Sequence, residues 1–199
     1  MPNLTEQHIP KTIPRTHSPI GRFLGSTILK VLGWRIKGAF PNEAKFIAAV
    51  APHTSNWDFV IAIAVKLKLG LRVKFLGKHS IFVGPFGYLL KKMGGIAIDR
   101  RAAHGVVEQI TQQFNQQDAL VLGIAPEGTR KYAPHWKTGF LHMANAANVP
   151  VVPMLLDYRS KTFFVLPVLT VNNNIDYELT RVKKQFPKNA AKYPSQVSD

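Results

Sequence analysis

The 199-residue chain contains no cysteine. That excludes a disulfide framework, a cysteine-based metal site and a thiol nucleophile, and it suits a reducing cytoplasm. No stretch approaches the roughly 18 uninterrupted apolar residues of a membrane-spanning helix. The opening segment, MPNLTEQHIPKTIPRTHSP, has no apolar h-region, so it is not expected to act as a secretory signal. Acidic residues are scarce: 11 Asp+Glu stand against 26 Lys+Arg, for a formal net charge of +15. Several catalytic signatures are missing as well. There is no GxSxG elbow, no GxGxxG, no HExxH, and Gly77-Lys78 is followed by His79, not by the Ser or Thr of a P-loop. What is present is a 46% hydrophobic fraction, enough to build one sizeable core and incompatible with wholesale disorder. The positive field attracts nucleic acid, anionic lipid, or an acidic ligand or carrier.

The charge is unevenly placed. Residues 60–101 hold nine basic side chains against Asp99 alone, and residues 1–40 hold Lys11, Arg15, Arg22, Lys30, Arg35 and Lys37 against Glu6. Residues 1–19, with four prolines, read as an extended arm. A basic amphipathic helix is expected within 20–40: Ile20, Phe23, Leu24, Thr27, Ile28, Val31 and Leu32 form one stripe, Arg22, Lys30 and Arg35 lie off it, and Trp34 closes it. Such a helix suits the plane of a membrane interface; packing on the core is the alternative. After Pro41 short apolar strands at 46–50, 73–76, 96–98, 119–124, 151–156 and 163–169 alternate with helices at 56–69, 80–93, 104–116 and 139–147. The alternation predicts an α/β fold, a single domain whose mostly parallel or mixed sheet is flanked by helices. Residues 183–199 read as a loosely held polar tail.

Four segments carry candidate chemistry. His53-Thr54-Ser55-Asn56-Trp57-Asp58 follows a strand and opens a helix. A carboxylate in that helix's first turn can reach back to the imidazole, fix its tautomer and stabilise its charged form, which makes a general base with an orienting acid. A capping segment with an incidental histidine is the alternative. Ala125-Pro126-Glu127-Gly128-Thr129-Arg130 lies at the carboxyl end of a strand, where α/β folds bind ligands; Arg130 offers a bidentate phosphate partner. Gly95-Ile96-Ala97-Ile98-Asp99-Arg100 is another strand ending in a charge pair. Val149-Pro150-Val151-Val152-Pro153-Met154 reads as a buried strand with a proline at an edge.

In this order the segments resemble the motifs of the glycerolipid acyltransferase family: HX4D at His53 and Asp58, a GxxFIDR-like block at Gly94–Arg100, FPEGTRS at Ala125–Lys131 and a VPxxP-like strand at Val149–Met154. Trp136-Lys137-Thr138-Gly139 looks like the family's FKxG step. The resemblance implies that residues 41–182 are an acyltransferase domain. It implies transfer of a fatty acyl group from acyl-CoA or acyl carrier protein to the hydroxyl of a lysophospholipid, with 1-acyl-sn-glycerol-3-phosphate the leading acceptor. In that scheme His53 deprotonates the hydroxyl, Asp58 orients His53, and Arg100 with Glu127, Gly128, Thr129 and Arg130 holds the phosphate. The scheme needs no metal and no cofactor, and it implies attachment to an anionic membrane, peripherally on its cytoplasmic inner face. Departures flank the head-group site: Ala125 stands for the usual Phe, Lys131 for Ser and Ala97 for an aromatic, so another lysolipid or lipid-like alcohol stays open. Outside this family, two readings remain. One is a hydrolase using the same His–Asp pair; the other is a basic nucleic-acid-binding module, which lacks a basic recognition helix or interleaved aromatics, so no specific nucleic acid is expected as a partner.

Overall fold

The computed structural model describes residues 1–98 and 103–197. Among them a single seven-stranded sheet forms from β1 (Arg35–Gly38), β2 (Lys45–Ala51), β3 (Val73–Lys78), β4 (Gly95–Ile98), β5 (Leu120–Ile124), β6 (Val151–Asp157) and β7 (Thr162–Val165). Its order is β1-β7-β6-β2-β5-β3-β4. Every pair is parallel except β6 with β7. The helices are α1 (Pro19–Leu32), α2 (Asn56–Lys68), α3 (Gly84–Lys92), α4 (Ala103–Gln116), α5 (Gly139–Ala146) and α6 (Ile175–Lys183). The mixed α/β sheet expected from the alternating pattern is therefore present.

Alternation along β2 divides the core. Phe46 and Ala48 point to the face covered by α1 and α2, where Leu29, Ile61, Ala64 and Val65 pack. Ile47, Ala49 and Ala51 point to the opposite face, against Ile110 of α4, Phe140 and Met143 of α5 and Val182 of α6. Both faces of the strand are covered, so its sequence is apolar from Phe46 to Ala51. Helices α1 and α2 pack closely because Gly25 has no side chain; a Cβ there would lie 2.5 Å from the carbonyl oxygen of Ala64.

The structure corrects four expectations. The basic helix ends at Leu32, where Gly33 takes a left-handed cap, and Arg35–Gly38 is an edge strand. Trp34 is buried and stacks edge-on against Tyr158 at 5.0 Å, so it belongs to the core. Of the apolar stripe, Ile20, Phe23, Leu24 and Val31 are exposed while Leu29, off the stripe, is buried. The helix turns an inner face to α2 and leaves an apolar outer face. Arg22 is held by Glu6 at 2.5 Å.

The first eighteen residues, which include a short 3-10 turn at Glu6–His8, are packed down onto the fold. Leu4, Ile9 and Ile13 are buried in the α1–α2 core, the Leu4 N–H donates to the Ile36 carbonyl, and the Arg72 N–H donates to that of Pro14. The polar tail is also held. Phe186, Ala190, Ala191 and Val197 are buried, Phe186 lies 5.6 Å from Trp136, and the Tyr158 N–H donates to the Ala190 carbonyl at 2.9 Å. Sparse apolar residues in polar segments carry no periodicity, yet these are buried. Finally, Pro153 is not at a sheet edge, since β6 lies between β7 and β2. The Val151 N–H points toward the β7 side, to the Leu169 carbonyl. By strand alternation Pro153 faces the same side, next to the last registered pair Met154–Val165, where its carbonyl accepts from the Leu166 N–H at 3.0 Å.

Candidate active site

Strands β2 and β5 are adjacent and parallel, with Ala49 opposite Ile124. The loops leaving their carboxyl ends therefore meet, which brings His53–Asp58 against Ala125–Arg130. The first loop is fixed by a capping box. Ser55 caps α2 by accepting from the Trp57 N–H at 3.2 Å, and the Asp58 carboxylate turns back over the helix start. Its Oδ2 accepts the N–H groups of Thr54 and Ser55, both at 2.7 Å. The motif thus provides a reciprocal cap and an anion at a helix N-terminus together. The same Oδ2 lies 3.3 Å from Nδ1 of His53, with the carboxylate buried and the imidazole partly open.

The other carboxylate oxygen, Oδ1, accepts from the phenol of Tyr158. Burial, reinforced by the Asp58 carboxylate, pushes that phenol well above its ordinary range, so Tyr158 stays a donor. This residue escaped sequence reasoning. It lies 100 positions from Asp58, and only the placement of β6 beside β2 brings the two together. Asn56 was likewise missed; its Oδ1 accepts from the guanidinium of Arg130.

Of the residues expected to hold a head group, Gly128, Thr129 and Arg130 line the cavity described below. Gly128 turns the loop at φ +68°. Glu127 sits behind it, 4% exposed. Its Oε2 accepts the His53 backbone N–H at 2.6 Å, and its Oε1 is buried without a hydrogen-bond partner. Glu127 therefore braces the histidine loop instead of facing the cavity. Arg100, and Asp99 beside it, lie outside the described residues.

Burial pushes the Glu127 carboxyl up from its ordinary 4.5 to about 8, with the Asp58 charge adding to the rise and the His53 N–H opposing it. A carboxyl raised on folding binds more protons folded than unfolded. Stability is then fully present below pH 4.5 and falls as pH rises toward 8. Glu127→Gln keeps an acceptor for His53 and removes the titration. Its melting temperature relative to wild type is expected to rise between pH 5 and pH 9, by roughly 5–10 °C. A difference that stays flat across this range in thermal melts would show that Glu127 does not titrate in the fold.

His53 and Asp58 open onto a cavity of about 1760 Å³ that runs beneath α2. Ala48, Val50, Val73 and Val121 line its apolar part, and Arg130, Lys131 and Lys137 its charged rim. Lys66 lines it too; its ammonium donates to the Met93 carbonyl, and burial lowers it to about 8. Among the described residues, no group of three or more His, Asp or Glu side chains could hold a metal ion. The tail backs the site, with the Tyr193 N–H donating to the Thr54 hydroxyl at 3.3 Å and the Lys192 ammonium 5.4 Å from the Trp57 ring. A base held by a buried acid, beside an apolar cavity with a cationic rim, can deprotonate a hydroxyl on a molecule that carries both a fatty chain and an anionic group.

A family model described as Acyltransferase matches residues 35–157. The 1-acyl-sn-glycerol-3-phosphate acyltransferase of Haemophilus influenzae is 29% identical over 146 residues, covering 68% of this chain and 59% of that protein. The Escherichia coli protein of the same name is 28% identical over 157 residues, covering 74% and 62%. The chain thus spans less than two thirds of the length of these relatives. The crystal structure of the 1-acyl-sn-glycerophosphate acyltransferase of Thermotoga maritima superposes with a TM-score of 0.56 at 16% identity, covering 83% of this chain and 78% of that one, a likeness of fold.

Proposed function

The chain belongs to the acyltransferase family, and from that premise we propose that it moves a fatty acyl group from an acyl thioester to the free hydroxyl of a lysophospholipid, with 1-acyl-sn-glycerol-3-phosphate as acceptor and phosphatidate as product. The observation that carries this reading is the His53–Asp58 pair at the mouth of the apolar cavity.

With Nδ1–H turned to Asp58, the Nε2 lone pair of His53 is free to act as base. Nε2 takes the acceptor's proton as its oxygen attacks the thioester carbonyl carbon. The tetrahedral adduct collapses, the carbon–sulfur bond breaks, and the imidazolium returns the proton to the departing thiolate. One ester and one thiol result, with no covalent acyl-enzyme and no net change in protons. Thr129, Arg130, Lys131 and Lys137 are suited to the acceptor's phosphate. Glu127 acts as a positioning residue through the His53 backbone. The fatty chain takes the apolar cavity, the thiol carrier is CoA or acyl carrier protein, and the exposed Ile20, Phe23, Leu24 and Val31 of α1 rest on a membrane interface.

The decisive experiment is a product assay with a panel of lysolipids and both thioester donors. Phosphatidate from lysophosphatidate, in preference to other acylated lipids, is the expected outcome. Free fatty acid without acylated lipid would overturn transfer in favour of hydrolysis.

A further inference from the structure

We propose that α3 and the short turn before it form a docking surface for an anionic phospholipid bilayer, separate from α1 and placed at the mouth of the cavity. Ile81, Val83, Phe86, Tyr88 and Leu89 are exposed here, with Val83, Phe86 and Tyr88 each at least 61% accessible. Phe82 and Leu90 are buried and anchor the segment. The apolar side chains are thus displayed from a packed base. Lys78 and His79 precede them in the chain and Lys91 and Lys92 close the helix, all exposed. From Phe59 to Ile98 the chain contains no Asp or Glu, so no acidic side chain of this stretch offsets the cations.

Large apolar side chains within a basic rim match the interface of an anionic bilayer, where aromatic rings sit at head-group depth and lysines meet lipid phosphates. An acidic carrier protein would satisfy the lysines but leave Val83, Phe86 and Tyr88 against a polar surface. Position supports the bilayer as well. Ile81 and Phe86 line the same cavity as His53 and Asp58, so a lipid leaving the membrane here enters the cavity along an apolar edge.

The test reads binding without turnover, so its failure is distinguishable from failure of the acyl-transfer reading. Because the chain has no cysteine, Tyr88→Cys accepts an environment-sensitive fluorophore at one place only. The label is expected to shift to the blue with vesicles of phosphatidylglycerol and phosphatidylcholine, and not with phosphatidylcholine alone or with acyl carrier protein. In flotation assays with the mixed vesicles, Tyr88→Asp/Leu89→Asp is expected to reduce partitioning about tenfold or more. Lys91→Glu/Lys92→Glu, confined to exposed side chains, should do the same and carries the test if the first pair fails to fold in thermal melts. Three results would each overturn the proposal: wild type that ignores the anionic vesicles, charge variants that float like wild type, or a label that responds to carrier protein but not to bilayer.

Discussion

Purified His53→Ala is expected to lose acyl transfer by about 10²–10⁴-fold, the usual worth of a positioned general base, while its melting temperature stays near that of wild type. The two halves of this result have separate physical origins. The imidazole is partly open to the cavity, and the interaction that ties residue 53 into the fold is its backbone N–H to Glu127, which alanine keeps. The Asp58 carboxylate retains the N–H groups of Thr54 and Ser55 and the phenol of Tyr158, so no buried charge is stranded. What disappears is the imidazole that the proposed mechanism uses to take the acceptor's proton. Initial rates with saturating donor and lysolipid, beside thermal melts, check both halves. Residual activity within tenfold of wild type would remove His53 from the role of base.

Asp58 should behave differently, because it serves the fold and, in the proposed mechanism, the reaction as well. Asp58→Ala deprives two backbone N–H groups and the Tyr158 phenol of their shared acceptor in a buried place. At about 1–3 kcal/mol for each of these three stranded donors, the loss is roughly 3–9 kcal/mol, a large part of the stability of an ordinary domain. Asp58→Asn keeps one acceptor oxygen and should fold better, yet it removes the charge that stabilises the imidazolium. Its activity is expected to fall about as far as that of His53→Ala. Tyr158→Phe calibrates the pair. It deletes one donor to an ionised carboxylate, at about 1.5–3 kcal/mol, and leaves that carboxylate facing His53, so activity should drop far less. Urea denaturation and steady-state rates on the three variants give the order Ala, Asn, Phe in stability loss, but Ala and Asn together, well apart from Phe, in activity. An Asn variant with near-normal rates would mean that the Asp58 charge has no part in the reaction.

The contrast between these variants matches a contrast in what could be read along the chain. The His53–Asp58 relationship is local. Five residues that begin a helix bring a histidine just outside its N-terminus and a carboxylate into its first turn, and the capping box that fixes them is written in consecutive residues. The partners that hold the pair are not local. Tyr158 comes from the end of β6 and Glu127 from the loop after β5. No spacing rule links either to position 53 or 58; they meet because β5 and β6 flank β2 in the sheet.

By itself the sequence determined the α/β class, the run of alternating elements from β2 to β6, the His53–Asp58 pair with its helix cap, and the motif order that resembles the acyltransferases. These depend on periodicity and on contacts within one turn, both encoded by neighbouring residues. Only the tertiary structure decided the rest. It packed Leu4, Ile9 and Ile13 of the arm and Phe186 and Val197 of the tail into the core, made an edge strand of Arg35–Gly38, and turned Glu127 away from the cavity to brace His53. The reason is common to all of them. Each depends on which distant strand or helix lies alongside, and burial is decided by that neighbour and not by the residues next in the chain.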